Sequence, residues 1–151
     1  MNEPKRILVV DDDPGVRGLL TSVLTQRGLT VDAAPGGDEA LEFLREHQYA
    51  VIILDLLMPV VDGFAVLRGM DHVEFQAPPV VLVVTGAERE VVEQLDSQRI
   101  HGVVRKPFDP DELAALVVAC AEIKSRSAYG TMALATMIAG GQFLALLNRW
   151  T

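Results

Sequence analysis

Cysteine is almost missing from this 151-residue chain, with Cys120 standing alone. One thiol closes no internal disulfide, so nothing asks for an oxidising compartment. It sits in the apolar run Leu116-Val117-Val118-Ala119-Cys120, where a thiol behaves as a small hydrophobe. Basic residues are also short, 13 Lys and Arg against 21 Asp and Glu, for a net charge of −8. The shortage is local: residues 1–121 carry 10 basic and 20 acidic side chains, whereas residues 122–151 carry 3 and 1. An acidic body repels nucleic-acid phosphates, which argues against direct nucleic-acid binding by it. No internal repeat or low-complexity segment is present. There is no zinc-ligand set, basic recognition helix or ATPase phosphate loop. The N-terminal stretch MNEPKRILVVDDD has an apolar run of four residues followed by three acids, unlike a secretory leader. A cytoplasmic location is therefore expected.

What the chain does have is apolar runs alternating with helical patterns. Hydrophobic residues make up 50% of it, enough for the core of one ordinary domain. Ile7–Val10, Ala50–Leu54 and Val80–Val84 are short, continuous and rich in β-branched residues, as strands covered on both faces are. Leu29–Ala33 and Gly102–Val104 are weaker strand candidates. Helical patterns fill the gaps over Pro14–Arg27, Asp38–His47, Phe64–Met70, Glu88–Gln98 and Asp109–Ile123. Gly28 supplies a stop after the first. Asp109-Pro110-Asp111-Glu112 reads as an N-cap, a first-turn proline and first-turn acids. The expectation is an α/β, doubly wound, five-stranded parallel sheet over residues 5–125.

In such a sheet, sites form at the carboxyl ends of strands near the point where strand order reverses. Polar residues stand there in this chain. Asp11, Asp12 and Asp13 follow the first strand, Asp55 the third, Thr85 the fourth and Lys106 the fifth. Carboxylates gathered in one place repel unless a cation neutralises them. A hard, oxygen-loving ion such as Mg²⁺ is the natural choice. Lys106 adds a fixed positive charge and Thr85 a hydroxyl donor. Carboxylate, metal, lysine and hydroxyl around one spot describe phosphoryl transfer. Asp13 precedes Pro14 and reads as a helix N-cap, as do Asp62 and Asp109. His47, His72 and His101 have no ligand-like spacing and read as surface residues.

Four segments carry a resemblance to the receiver domains of two-component response regulators, of the chemotaxis-regulator-like single-domain type. They are ILVVDDD, VIILDLLMPVVDGF, VVLVVTG and VVRKPFD, in order and at matching element ends. The resemblance spans residues 5–123. It implies a flavodoxin-like (βα)₅ fold with strand order 2-1-3-4-5. It makes Asp55 the acceptor of a phosphoryl group from a histidine kinase or phosphotransfer protein. Asp11, Asp12, Asp55 and the Leu57 backbone carbonyl would hold Mg²⁺, and Thr85 and Lys106 would bind phosphoryl oxygens. It also implies a cis Lys106–Pro107 step, and a downstream protein that reads the switch. The chain departs from the pattern at Val103, three residues before the lysine, where the family usually has an aromatic ring. Valine is short and β-branched and cannot follow the threonine as a ring does. The expectation is a signal read by another route.

Two other readings use the same residues. A haloacid-dehalogenase-type phosphatase would take Asp11 as nucleophile and Asp13 as acid, leaving Asp55 and Met58-Pro59 unexplained. A receiver-like scaffold would never use Asp55. A flavodoxin-like cofactor binder fails for want of a phosphate loop after the first strand.

Lys124-Ser125-Arg126-Ser127 reads as a linker, giving a receiver at 1–125 and an apolar extension at 126–151. Residues 128–148 contain no charge, and their length approaches a membrane span of ~20 residues. Three readings compete: a helix packed on the receiver or on a second copy as a homodimer, a membrane anchor, and a loosely ordered stub. Gly140-Gly141-Gln142 weakens the membrane reading. Ala133, Met137, Gly140, Leu144 and Leu147 recur at heptad-like spacing, which favours packing.

Overall fold

The computed structural model describes residues 5–126; the 126–151 extension, and with it the dimer and membrane readings, falls outside the described residues from Ser127 on. Five strands alternate with five helices: β1 Arg6–Val10, α1 Pro14–Gln26, β2 Thr30–Ala34, α2 Gly37–Glu46, β3 Val51–Leu54, α3 Gly63–Met70, β4 Val80–Thr85, α4 Arg89–Val92, β5 Gly102–Arg105 and α5 Pro110–Arg126. The strands pair in parallel in the order β2-β1-β3-β4-β5. This is the order that the resemblance implies. Among the described residues no helix is long and apolar enough to cross a membrane.

Two apolar layers sandwich the sheet. Ile7, Val9, Val51, Ile53, Leu82 and Val84 face Leu20 and Leu24 of α1 and Leu113, Ala114 and Val117 of α5. The alternate residues Leu8, Val10, Ile52, Leu54, Val81 and Val83 face Ala40 and Leu44 of α2 and Val66 and Leu67 of α3. This is why the runs are continuous: every second residue serves a different layer. Each fully buried Leu or Ile contributes about 1.5–3 kcal/mol. Cys120 is fully buried among them, and burial pushes its thiol up to about 12. That is the inert core thiol expected.

The helix ends follow the sequence signals. Asp13 Oδ1 accepts from the N–H groups of Gly15 (2.7 Å) and Val16 (3.4 Å). Asp62 Oδ1 accepts from Ala65 (2.9 Å), and Asp109 Oδ1 from Asp111 (2.8 Å) and Glu112 (3.0 Å). Gly28 takes φ 83° after α1, and the N–H of Leu29 returns to the Leu24 carbonyl. α5 runs on through Lys124, Ser125 and Arg126, residues that read as a linker.

Two local expectations fail. The pattern over Glu88–Gln98 gives only one helical turn, Arg89–Val92. Beyond it, Gln94 and Leu95 bond three residues back rather than four, and the Asp96 carboxylate caps Gln98 at 2.9 Å in a side-chain turn. No residue of α4 is fully buried, so packing does not rescue the helix. Arg99 instead ties this segment to α3, bonding the Leu67 carbonyl (3.0 Å) and Asp71 (2.7 Å).

The second is His101, which is not a surface residue. Its backbone N–H bonds the Val81 carbonyl at 2.8 Å, and its Nδ1 accepts the Val81 N–H at 3.0 Å. The side chain thus extends the β4 ladder just before β5 begins. Nδ1 can accept only in the neutral ring. Burial, with the charge of Lys124 adding to it, holds the imidazole below its ordinary value of 6.5. The unfolded chain therefore binds this proton more readily. The stabilisation is complete above the unfolded value and is lost as pH falls through the lower folded one. In urea titrations from pH 7 to pH 4.5, His101→Asn, which keeps an acceptor but does not titrate, is expected to lose about 1 kcal/mol less than the parent. Parallel pH curves for the two proteins would reject this role.

Candidate functional site

The carboxyl ends of β1, β3, β4 and β5 converge on one spot, with β1 and β3 flanking the point where strand order reverses. The sheet itself delivers the acids. The Asp11 N–H bonds the Ala34 carbonyl (3.2 Å) and the Asp55 N–H bonds the Val10 carbonyl (3.0 Å), so each acid is the first residue past its strand yet still tied to a neighbouring one. Gly63, at the start of α3, packs against the Asp55 carbonyl with no room for a side chain.

Asp11 and Asp55 are 3% and 5% exposed, and Thr85 is fully buried. These are the buried polar residues among the described ones, and all three are sequence candidates. Lys106 reaches between the two acids, with Nζ 2.7 Å from Asp11 Oδ2 and 3.1 Å from Asp55 Oδ2. Asp11 Oδ1 also accepts the Asp13 N–H (2.9 Å), and Asp55 Oδ1 the Leu57 N–H (3.3 Å). Burial pushes the Asp11 carboxyl above the ordinary carboxylate range, although the Lys106 hydrogen bond pulls the other way. Burial alone would lower the Lys106 ammonium; its bonds to Asp11 and Asp55 outweigh that and hold it above the usual lysine value. The acid–lysine array is the physical signature of a tuned site.

Asp12 is exposed, on the solvent side. One carboxylate oxygen from each of Asp11, Asp12 and Asp55 falls within 4.8 Å of the others. Three carboxylates against one ammonium leave excess negative charge, and every donor is a hard oxygen. The residues fit a divalent cation of the Mg²⁺ type, with Asp12 open to water. Leu57 lies two residues beyond Asp55 with its side chain 54% exposed.

Thr85 Oγ1 accepts the Ala87 N–H at 3.2 Å, while the Thr85 carbonyl accepts from the Lys106 N–H at 3.0 Å. The Lys106–Pro107 peptide is cis, as the resemblance implies. Two residues were missed by sequence reasoning. Arg17, on α1, donates to the Asp11 carbonyl at 2.8 Å. Arg105 donates to the Ala87 carbonyl. Neither belongs to a motif, and each acts on a backbone oxygen whose position only the fold provides.

Comparison with known proteins agrees with this geometry. A family model described as "Response regulator receiver domain" matches residues 7–118. "Response regulator Rre1" of Synechocystis sp. is 37% identical over 126 residues, covering 78% of this chain and 52% of that protein. "Transcriptional regulatory protein ResD" of Bacillus subtilis is 36% identical over 129 residues, covering 85% and 52%. The chain thus spans about half the length of these relatives. Among solved structures, the response regulator protein TrrA of Thermotoga maritima, in complex with Mg²⁺-BeF, superposes with TM-score 0.66 at 34% identity, covering 77% of this chain and 98% of that one. A CheY-like receiver domain protein from Methanospirillum hungatei gives TM-score 0.73 at 21% identity over 82% and 98%, which speaks for the fold.

Proposed function

This chain belongs to the response regulator receiver domain family, and from that premise we propose that it is a phosphorylation-dependent switch whose acceptor is Asp55. The observation that carries this reading is the placement of Asp55, buried at the end of β3, hydrogen-bonded by Lys106 and next to Asp11. The phosphatase reading, with Asp11 as nucleophile, gains nothing from this family.

An Asp55 carboxylate oxygen attacks the phosphorus of a donor phosphohistidine. The P–N bond breaks and the proton goes to the leaving imidazole. The donor is a histidine kinase or phosphotransfer protein. Lys106 is placed to bind a phosphoryl oxygen as charge moves onto Asp55, and the Thr85 hydroxyl to donate to another. Asp11, Asp12, Asp55 and the Leu57 backbone carbonyl would hold Mg²⁺. When bound, Mg²⁺ supplies charge neutralisation between carboxylate and phosphoryl oxygens. The product adds about −1.5 to −2 charge at a buried site, which biases the surrounding loops between two arrangements that a downstream protein can distinguish. We place this activity in residues 1–125, with 126–151 as a separate extension.

Incubation with Mg²⁺ and a small phosphodonor, followed by intact mass measurement, tests this. The parent should gain one base-labile phosphoryl group and Asp55→Asn none. Equal labelling of both, or of neither, would defeat the assignment and favour a scaffold that does not use Asp55.

A further inference from the structure

Val103 cannot follow Thr85 as a ring would, and the side chain that does reach the Thr85 loop is Arg105. Val83 pairs with Val103 and Thr85 with Arg105 across β4 and β5. Residues two apart on a strand share a face, so Thr85, Val103 and Arg105 lie on one side of the sheet. Val103 stops in the apolar layer with Ala87, Val91 and Val92. Arg105, one step nearer the site, sends Nη1 to the Ala87 carbonyl oxygen. The N–H of the same Ala87 goes to Thr85 Oγ1 at 3.2 Å. Buried Ala87 is therefore gripped at both its polar backbone groups, on one side by Thr85 and on the other by Arg105. Because Thr85 Oγ1 accepts from Ala87, its own proton is left to be given away.

We infer that Arg105 is a positioning residue for phosphoryl binding. By holding the Ala87 carbonyl it fixes the loop at 86–88, which keeps the Thr85 hydroxyl engaged as an acceptor and ready as a donor to a phosphoryl oxygen. This rests on the reading of Asp55 as acceptor. It also gives β5 a link to Thr85 without an aromatic ring: displacement of Ala87 releases a guanidinium at the exposed end of β5.

The test uses the full chain with Arg105→Met and Arg105→Lys. The first removes the donor and keeps much of the stem. The second restores a donor. Amide exchange is followed without Mg²⁺ or any phosphoryl mimic, and beryllofluoride binding is titrated in Mg²⁺. In Arg105→Met, exchange at Ala87 should rise about five- to tenfold, the worth of one hydrogen bond, and beryllofluoride binding should weaken by a similar factor. Arg105→Lys should recover most of both. The deficit should persist in about 0.5 M salt, where a long-range field is screened but a direct bond is not. Unchanged exchange in Arg105→Met, or a binding deficit that salt abolishes, overturns the inference. If the parent binds beryllofluoride no better than Asp55→Asn, the Asp55 reading is what fails, and the exchange arm still decides whether Arg105 holds the loop.

Discussion

Replacing Gly63 by alanine should destabilise the chain by about 3 kcal/mol or more and abolish phosphoryl uptake at Asp55. A Cβ added at Gly63 falls 2.3 Å from the Asp55 carbonyl oxygen, 2.8 Å from Leu56 Cα and 3.0 Å from the Asp55 carbonyl carbon. All three are backbone atoms, so no rotamer change relieves the clash. The Gly63 N–H also bonds the Leu56 carbonyl at 3.0 Å, which pins the first turn of α3 to the end of β3. Either α3 backs out of its layer, exposing Val66 and Leu67, or the end of β3 shifts and takes Asp55 with it. A loss of this size is a large share of the ~5–15 kcal/mol that holds a domain of this kind together. Gly18→Ala is the control. Nothing lies within 4 Å of its added Cβ, so on the exposed face of α1 it should stabilise by about 0.5–1 kcal/mol. Urea midpoints and intact mass after phosphodonor treatment read both effects. A Gly63→Ala midpoint matching the parent would show that β3 and α3 separate freely.

The contrast between these two glycines marks what the sequence could and could not tell. Its pattern carries the layers, because burial on both faces forces continuous apolar runs, and the caps at Asp13, Asp62 and Asp109, because capping needs only local chain geometry. Asp11, Asp55, Thr85 and Lys106 were legible for a related reason: a polar residue right after a core strand has no packing role to explain it. Asp62-Gly63 reads as a turn, but only the fold shows that Gly63 touches Asp55. The end of α4 was not legible, since a weakly amphipathic helix survives or frays according to what it packs against. His101, Arg17 and Arg105 were invisible for a further reason. Each satisfies a backbone group of a residue far away in sequence, and no periodicity encodes that.

Lys106→Met should reduce phosphoryl uptake at Asp55 by about 100-fold or more, because a fixed positive charge is lost where phosphoryl charge develops. The same substitution separates the structural role of Lys106 from its chemical one. Without the ammonium, Asp11 and Asp55 face each other buried and unneutralised. Breaking a pair of this kind costs about 3–5 kcal/mol when fully buried; with Lys106 23% exposed and the acids free to protonate, about 2 kcal/mol is expected at pH 7. Losing the cation raises the folded-state values of both carboxyls, and Asp11 is already raised in the parent by burial. Folded Lys106→Met then binds protons more tightly than the unfolded chain. The penalty is therefore small below the unfolded carboxylate value of about 3.8 and grows as pH rises through the folded values. A methionine of similar length leaves packing nearly unchanged, so the pH dependence isolates the charge. Mg²⁺ should also bind the variant more tightly than the parent, since the ammonium no longer competes for Asp11 and Asp55. Its addition at pH 7 should restore stability while leaving phosphoryl uptake impaired. A penalty equal at pH 4 and pH 7, or uptake restored together with stability by Mg²⁺, would mean that Lys106 does no more than hold the carboxylates together.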